Sequence, residues 1–195
     1  SVLASVESRT DLNDSAEFSG KRMSERFFSD QPILTPQITL SGDEFRHLSS
    51  VMRAQIGDEV TLFDGSGAEF AARIVRLGKR DAELEIDERR DISRELPFDL
   101  TLAVALPKGE RQKWLVEKLT ELGVTRLLPL ITERSVAEPT PSAIDRLRRG
   151  VIEASKQCGR NRLMEIARPA IAADFFAATS RTSRRLIADP AGQPL

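Results

Sequence analysis

The spacing of apolar residues changes character near the middle of this chain. Through its first half the hydrophobic positions fall in short runs separated by turn signals. Residues 35–40, 59–64, 68–77 and 82–88 read as strands, with Gly65-Ser66-Gly67 and Gly78-Lys79-Arg80-Asp81 as turns between the last three. Short strands at this spacing, joined by Gly-rich turns, predict a small β-barrel or curled sheet. One helix interrupts them. Ser41 is placed as its N-cap with Glu44 three residues on, and Phe45, Leu48, Val51 and Met52 form its apolar face ahead of Gly57-Asp58. Order is expected to begin near Arg26-Phe27-Phe28.

Beyond a polar linker at 89–97 the period lengthens. Residues 100–106 are almost continuously apolar, as a strand buried on both faces should be. Pro107-Lys108-Gly109 breaks that run. A helix over 110–122, with Trp114, Leu115, Leu119 and Leu122 inward, stops at Gly123, and 124–131 is a second apolar strand. This βαβ unit predicts a parallel sheet. A further helix begins near Pro141, with proline in its first turn, carries Ile144, Leu147, Val151 and Ala154 on one stripe, and closes at Gly159. Weaker signals mark a strand at 165–168, a short helix at 170–178 and a strand at 185–188. Ligands of open α/β sheets bind beyond the carboxyl ends of the strands. One such end coincides with the last residues given, so the second domain reads as cut before it is complete.

Composition narrows the class. The 195 residues are 40% hydrophobic and 30% charged, enough for two small domains with real cores. One cysteine, Cys158, and one histidine, His47, exclude an intramolecular disulfide and a multi-His or multi-Cys metal site. No apolar run approaches a membrane span. The polar, acidic residues 1–20 lack the makeup of a signal peptide, so 1–24 is expected to be a disordered tail and the protein cytoplasmic. The net charge of −1 hides an asymmetry: residues 1–98 carry 13 Lys and Arg against 19 Asp and Glu, and residues 99–195 carry 16 against 11. The basic half suggests an anionic partner, although opposite charges on two halves also help them dock on each other.

The chemistry-bearing stretch is Glu153-Ala-Ser-Lys-Gln-Cys-Gly-Arg-Asn-Arg162. It ends a helix and then presents Arg160, Asn161 and Arg162, with Lys156 and Gln157 on the last turn. Arginine offers a planar donor fork and asparagine both a donor and an acceptor, groups suited to phosphates and base edges. The plainer reading is a helix cap with solvated charges. Between Arg146 and Arg168 seven basic residues face two acidic ones, the footprint expected for a nucleic-acid backbone. Lys108-Gly109-Glu110, at a strand-to-helix turn, is either a plain turn or an anion site. Glu117 and Glu121 have Lys113 and Lys118 at salt-bridge spacing and read as a solvated face. Arg53 ends the first helix, and the lone His47 reads as structural. There is no Walker phosphate loop, no dinucleotide fingerprint and no nucleophile elbow.

Taken together, these residues resemble the RsmE-type methyltransferases, which modify N3 of a uridine in small-subunit ribosomal RNA. The resemblance covers about 26–195. It rests on Arg26-Phe-Phe28, His47-Leu48 with Val51-Met52-Arg53, Leu62-Phe-Asp-Gly65, Lys108-Gly109-Glu110, Glu117-Lys118 with Glu121-Leu-Gly123, Pro129, Glu133-Arg134-Ser135, and most specifically Glu153 to Arg162. It implies a two-domain α+β protein: a PUA-like β-barrel at 25–92, then part of an α/β SPOUT domain with a trefoil knot at 99–195. It further implies S-adenosylmethionine as cofactor, small-subunit ribosomal RNA as partner, and a homodimer without metal. By the same resemblance Arg160 is expected to stabilise charge on the uridine. Arg26, Arg53, Lys108, Gln157, Asn161 and Arg162 are expected to bind RNA. Only Ala188, Asp189 and Pro190 remain for the cofactor, because the family's Gly-Pro-Glu-Gly-Gly and Arg-Ile-Leu-Arg segments are not among these residues. The chain is therefore expected to be a fragment that lacks most of the cofactor pocket. A non-catalytic RNA-binding or ribosome-assembly module is the alternative.

Overall fold

A computed structural model describes residues 25–178 and residue 186. The expectations placed on residues 1–24, on a strand at 185–188, and on Ala188, Asp189 and Pro190 lie outside the described residues.

The first half is a curled sheet. Its strands are β1 (Arg26–Phe28), β2 (Gln37–Ser41), β3 (Glu59–Phe63), β4 (Glu69–Leu77) and β5 (Asp81–Arg90), in the order β1-β3-β4-β5-β2. The β1–β3 pair is parallel and the other pairs are antiparallel. Among the described residues the pairing path stays open between β1 and β2, so the expected barrel is seen as a curled sheet. Two register shifts in the β4–β5 ladder, at Ala71/Ala72 and Ile74/Arg76, supply curvature. Period-2 alternation sends Phe70, Ala72 and Ile74 of β4 inward to meet Phe27, Leu62 and Leu84.

Helix α1 (Gly42–Arg46) runs directly into a π-helical turn, His47–Val51. The wider turn rotates the residues after His47, so Leu48 is buried while Val51, expected inward, is exposed. The expected capping box does not form. Ser41 makes no side-chain cap bond, and the Glu44 carboxylate turns instead to the Phe28 amide and the Lys156 ammonium.

The second half is a parallel β-sheet carrying helices. Strands β6 (Thr101–Val104), β7 (Arg126–Ile131) and β8 (Glu165–Ile166) lie in that order, and β9 (Ala170–Ile171) also pairs with β7. The flank of β7 passes from β8, at Arg126 and Leu127, to β9, at Leu130 and Ile131. The handover straddles Pro129, which has no N–H to donate. Among the described residues β6 pairs with β7 alone, and it is only half-buried. The expectation of burial on both faces is corrected accordingly.

Helices α2 (Glu110–Glu121) and α3 (Pro141–Cys158) pack on each other, and α4 (Ala172–Ala178) follows β9. Thr140 caps α3 through the Ala143 amide, Pro141 fills its first turn, and Gly159 ends it in the left-handed conformation, φ 77°. The stripe Ile144, Leu147, Val151 and Ala154 is buried as expected. On α2 the inward face is Val116, Leu119 and Thr120, while Trp114 and Leu122 are exposed. Gly150 of α3 faces that side: a Cβ there would sit 3.4 Å from Val116 Cγ1, so the two helices are close at Val116.

Candidate nucleic-acid interface

The turn after α3 is driven into the junction between the two halves. Arg160, 3% exposed, donates from Nε to both Glu95 carboxylate oxygens, at 3.0 and 3.1 Å, and from Nη2 to Oε2 at 2.6 Å. Its Nη1 donates to the carbonyls of Val124 at 2.8 Å and Thr120 at 3.4 Å, near the C-terminus of α2. All three guanidinium nitrogens are engaged by protein. Bidentate geometry and the partial negative charge of a helix C-terminus both favour the cation there.

Asn161 is 2% exposed and bridges the halves. Its Oδ1 accepts from Arg26 Nη2 at 2.5 Å, and its Nδ2 donates to the Ile92 carbonyl at 3.1 Å. Arg26 also donates to Glu69 at 2.8 Å and lies over the Phe63 ring at 5.0 Å. Arg94, in the linker, reaches the same Glu69 oxygen at 3.1 Å and the Gly159 carbonyl at 2.9 Å. Burial pushes the Glu69 carboxyl up, but hydrogen bonds and charge from Arg26 and Arg94 outweigh it and hold the group below the usual glutamate value. Lys156, expected beside the RNA-facing turn, is 8% exposed. It donates to Glu44 at 2.9 Å and lies 6.0 Å from the Phe27 ring. A lone bridge, Ser66 to Arg162, adds a backbone link.

The expected site residues therefore separate into two groups. Asn161 and Arg160 are buried with their polar groups on protein, and Arg26 is partly buried with both Nη atoms on protein partners and Nε without one. Gln157, Arg162, Arg53 and Lys108 are exposed. Arg162 borders a cleft of about 520 Å³ at the junction, shared with Ser66, Gly67, Arg89, Arg94 and Phe98. Lys108 borders a second cleft, about 470 Å³, beyond the carboxyl ends of β6 and β7. Arg53 stands apart with a left-handed backbone, φ 54°, the one non-glycine residue so placed among those described. The expectation that puts Arg160 against a uridine meets a guanidinium enclosed by protein, and Asn161 has no edge free for a base. Arg160 and Asn161 fix the turn, and Arg162 is its outward cation.

Sequence reasoning passed over the acidic partners Glu44, Glu69 and Glu95 and the linker residue Arg94. The available signal was the opposed charge of the two halves. Its docking explanation holds for Glu44 with Lys156 and for Glu95 with Arg160, whereas Glu69 pairs with Arg26 and Arg94 of the acidic half itself.

Comparison with known proteins agrees with this architecture. A family model described as RNA methyltransferase domain matches residues 94–195, and one described as RNA methyltransferase PUA domain matches 40–87. The chain is 35% identical over 139 residues to ribosomal RNA small subunit methyltransferase E of Synechocystis sp., covering 71% of this chain and 45% of that protein. The Bacillus subtilis protein of the same name is 31% identical over 103 residues, covering 53% and 40%. The chain thus spans a little under half the length of these two curated relatives. A methyltransferase of Legionella pneumophila solved with bound SAM superposes with a TM-score of 0.79 at 31% identity, covering 86% of this chain and 71% of that one. For ribosomal RNA small subunit methyltransferase E of Neisseria gonorrhoeae, bound to S-adenosyl methionine, the TM-score is 0.74 at 28% identity, with 81% and 67% covered. With a family model matched over more than half of its residues, the chain belongs to the RNA methyltransferase domain family, of the RsmE type with a PUA-like domain.

Proposed function

We propose that this protein methylates N3 of a uridine in small-subunit ribosomal RNA, with S-adenosylmethionine as donor. The observation that carries the reading is the rigid fusion of an RNA methyltransferase PUA domain to an RNA methyltransferase domain through the buried Arg26–Asn161 and Lys156–Glu44 contacts. Such a fusion offers one folded RNA two surfaces in fixed register, and folded RNA is recognised largely by shape and backbone. Arg162 meets RNA at the junction, held outward by Arg160 and Asn161, with Gln157 beside it. Lys108 and Arg53 contact phosphates, which fix register rather than sequence. The imide proton of uridine leaves before or during attack, and a nearby cation stabilises the charge that develops. A homodimer is the expected assembly.

The described residues do not fit the methyl donor. The crevice beyond the strand carboxyl ends is rimmed by Lys108, Lys113 and Arg146 with Glu110 and Glu138, a surplus of one positive charge that disfavours a sulfonium. They supply the RNA side of the reaction and not the donor side.

The test is transfer of labelled methyl from S-adenosylmethionine to small-subunit ribosomal RNA by the whole gene product, followed by nucleoside mass spectrometry. The expected product is 3-methyluridine. Methylation at another atom overturns the N3 assignment, and RNA binding without methyl transfer favours the non-catalytic module.

A further inference from the structure

The geometry points to the cleft beyond the carboxyl ends of β6 and β7 as a binding site for the RNA phosphate backbone, with Lys108, Lys113 and Arg146 as its cations. The inference rests on the RNA reading above and assigns that reading a second contact region, on the α/β half itself.

Strands β6 and β7 are parallel neighbours, so the segments leaving their carboxyl ends open on the same side of the sheet. Between them lies the cleft of about 470 Å³, closed by the first turns of α2 and by α3 as far as Gly150. Lys108 comes from the segment after β6, Lys113 from α2 and Arg146 from α3. All three are exposed, and among the described residues no side chain of the three has a hydrogen bond or an ion pair. That sets them apart from their neighbours. On the same helices Lys118 pairs with Glu117 and Glu121, and Arg148 with Asp145. Asp145 is adjacent to Arg146 in sequence, yet it is Arg148 that takes its carboxylate.

Two acids, Glu110 and Glu138, also line the cleft, so its side chains leave a surplus of one positive charge. The backbone adds to it. Gly109, at φ 62°, begins α2 without a side-chain cap, so first-turn amides of a 12-residue helix have no side-chain acceptor. A Cβ on Gly109 would meet nothing within 4 Å. The glycine is therefore demanded by the backbone turn and leaves the approach to those amides open. Three flexible cations from three separate elements around an open crevice suit a run of phosphodiesters better than one small carboxylate. Lysine in particular serves as a point charge with little directional demand.

Phosphate contacts position RNA and do not read its bases. The test is fluorescence anisotropy of a labelled small-subunit ribosomal RNA hairpin, and of a scrambled RNA of equal length, titrated between about 50 and 200 mM salt. Lys108→Gln, Lys113→Gln and Arg146→Gln should each lower the slope of log affinity against log salt by about 1 and weaken both RNAs alike. Glu110→Gln and Glu138→Gln should tighten both RNAs, which keeps the test decisive if one cation variant misfolds. Unchanged slopes in the three cation variants overturn the inference, as does loss confined to the ribosomal hairpin, which means base readout. Loss of S-adenosylmethionine affinity with intact RNA slopes assigns the cleft to the donor and overturns it too. Failure of the unaltered protein to bind either RNA is a different result and rejects the RNA reading itself.

Discussion

Arg160 and Glu95 form a two-toothed ion pair, with Nε and Nη2 of the arginine both on the carboxylate and Nη2 only 2.6 Å from Oε2. The arginine side chain is 4% exposed and the glutamate 20%. Removing one member of so enclosed a pair leaves the other with an unmet charge. Arg160→Ala and Glu95→Gln are each expected to lower unfolding free energy by about 3 kcal/mol, and Arg160→Lys by less, since lysine keeps the charge and loses the fork. Urea melts monitored by circular dichroism give the comparison. A loss under about 1 kcal/mol for Arg160→Ala refutes the structural role.

The Lys156–Glu44 contact joins α3 to α1 across 112 residues of sequence. Lys156→Met alone strands the Glu44 carboxylate against Phe28 and should cost about 3 kcal/mol, whereas Lys156→Met with Glu44→Met should recover most of that loss. Additive losses in the double variant mean that the two side chains do not sense each other.

Glu69 makes stability depend on acid. Its folded pKa is depressed below the ordinary glutamate value of 4.5, so the stabilisation is present above that value and is lost as pH falls through the folded pKa. The melting temperature should therefore drop steeply below about pH 4.5, and Glu69→Gln should be less stable at neutral pH with a shallower fall. An identical acid limb in the two proteins removes Glu69 from the explanation.

Arg162 and Arg160 differ in what their loss should do. Arg162→Ala removes an exposed side chain and should leave the melt within about 0.5 kcal/mol of the parent, while weakening RNA by several-fold and lowering the salt slope by about 1. RNA affinity indifferent to Arg162 places the contact elsewhere at the junction.

The local rules made some elements plain. Helix α3 carries its own start, stripe and stop in Pro141, Ile144, Leu147, Val151 and Gly159, and these are found as expected, while its Thr140 cap was not singled out. Strands β3, β4 and β5 follow from alternation and glycine turns. What escaped depends on distance across the fold. Trp114 and Leu122 satisfy the apolar period of α2, but the face that meets α3 is the one carrying Val116, Leu119 and Thr120, with Val116 opposite Gly150. Val51 misses the core because the helix changes its bonding at His47. The direction of the side chains in the decapeptide 153–162 was not legible. Arg160 and Asn161 turn inward only because Glu95, Ile92 and Arg26 arrive from remote positions to receive them.

The buried contacts of the junction bear on dissection of the protein. A cut near residue 92 divides it where the sequence suggests, yet it separates Lys156 from Glu44, Asn161 from Arg26, and Arg94 from Glu69. The α/β half alone would then turn Lys156 and Asn161 toward water, next to Arg162. That surface would attract polyanions that the intact protein never meets there. RNA affinity measured on the isolated half would overstate its share, and its promiscuity would belong to the cut rather than to the intact protein.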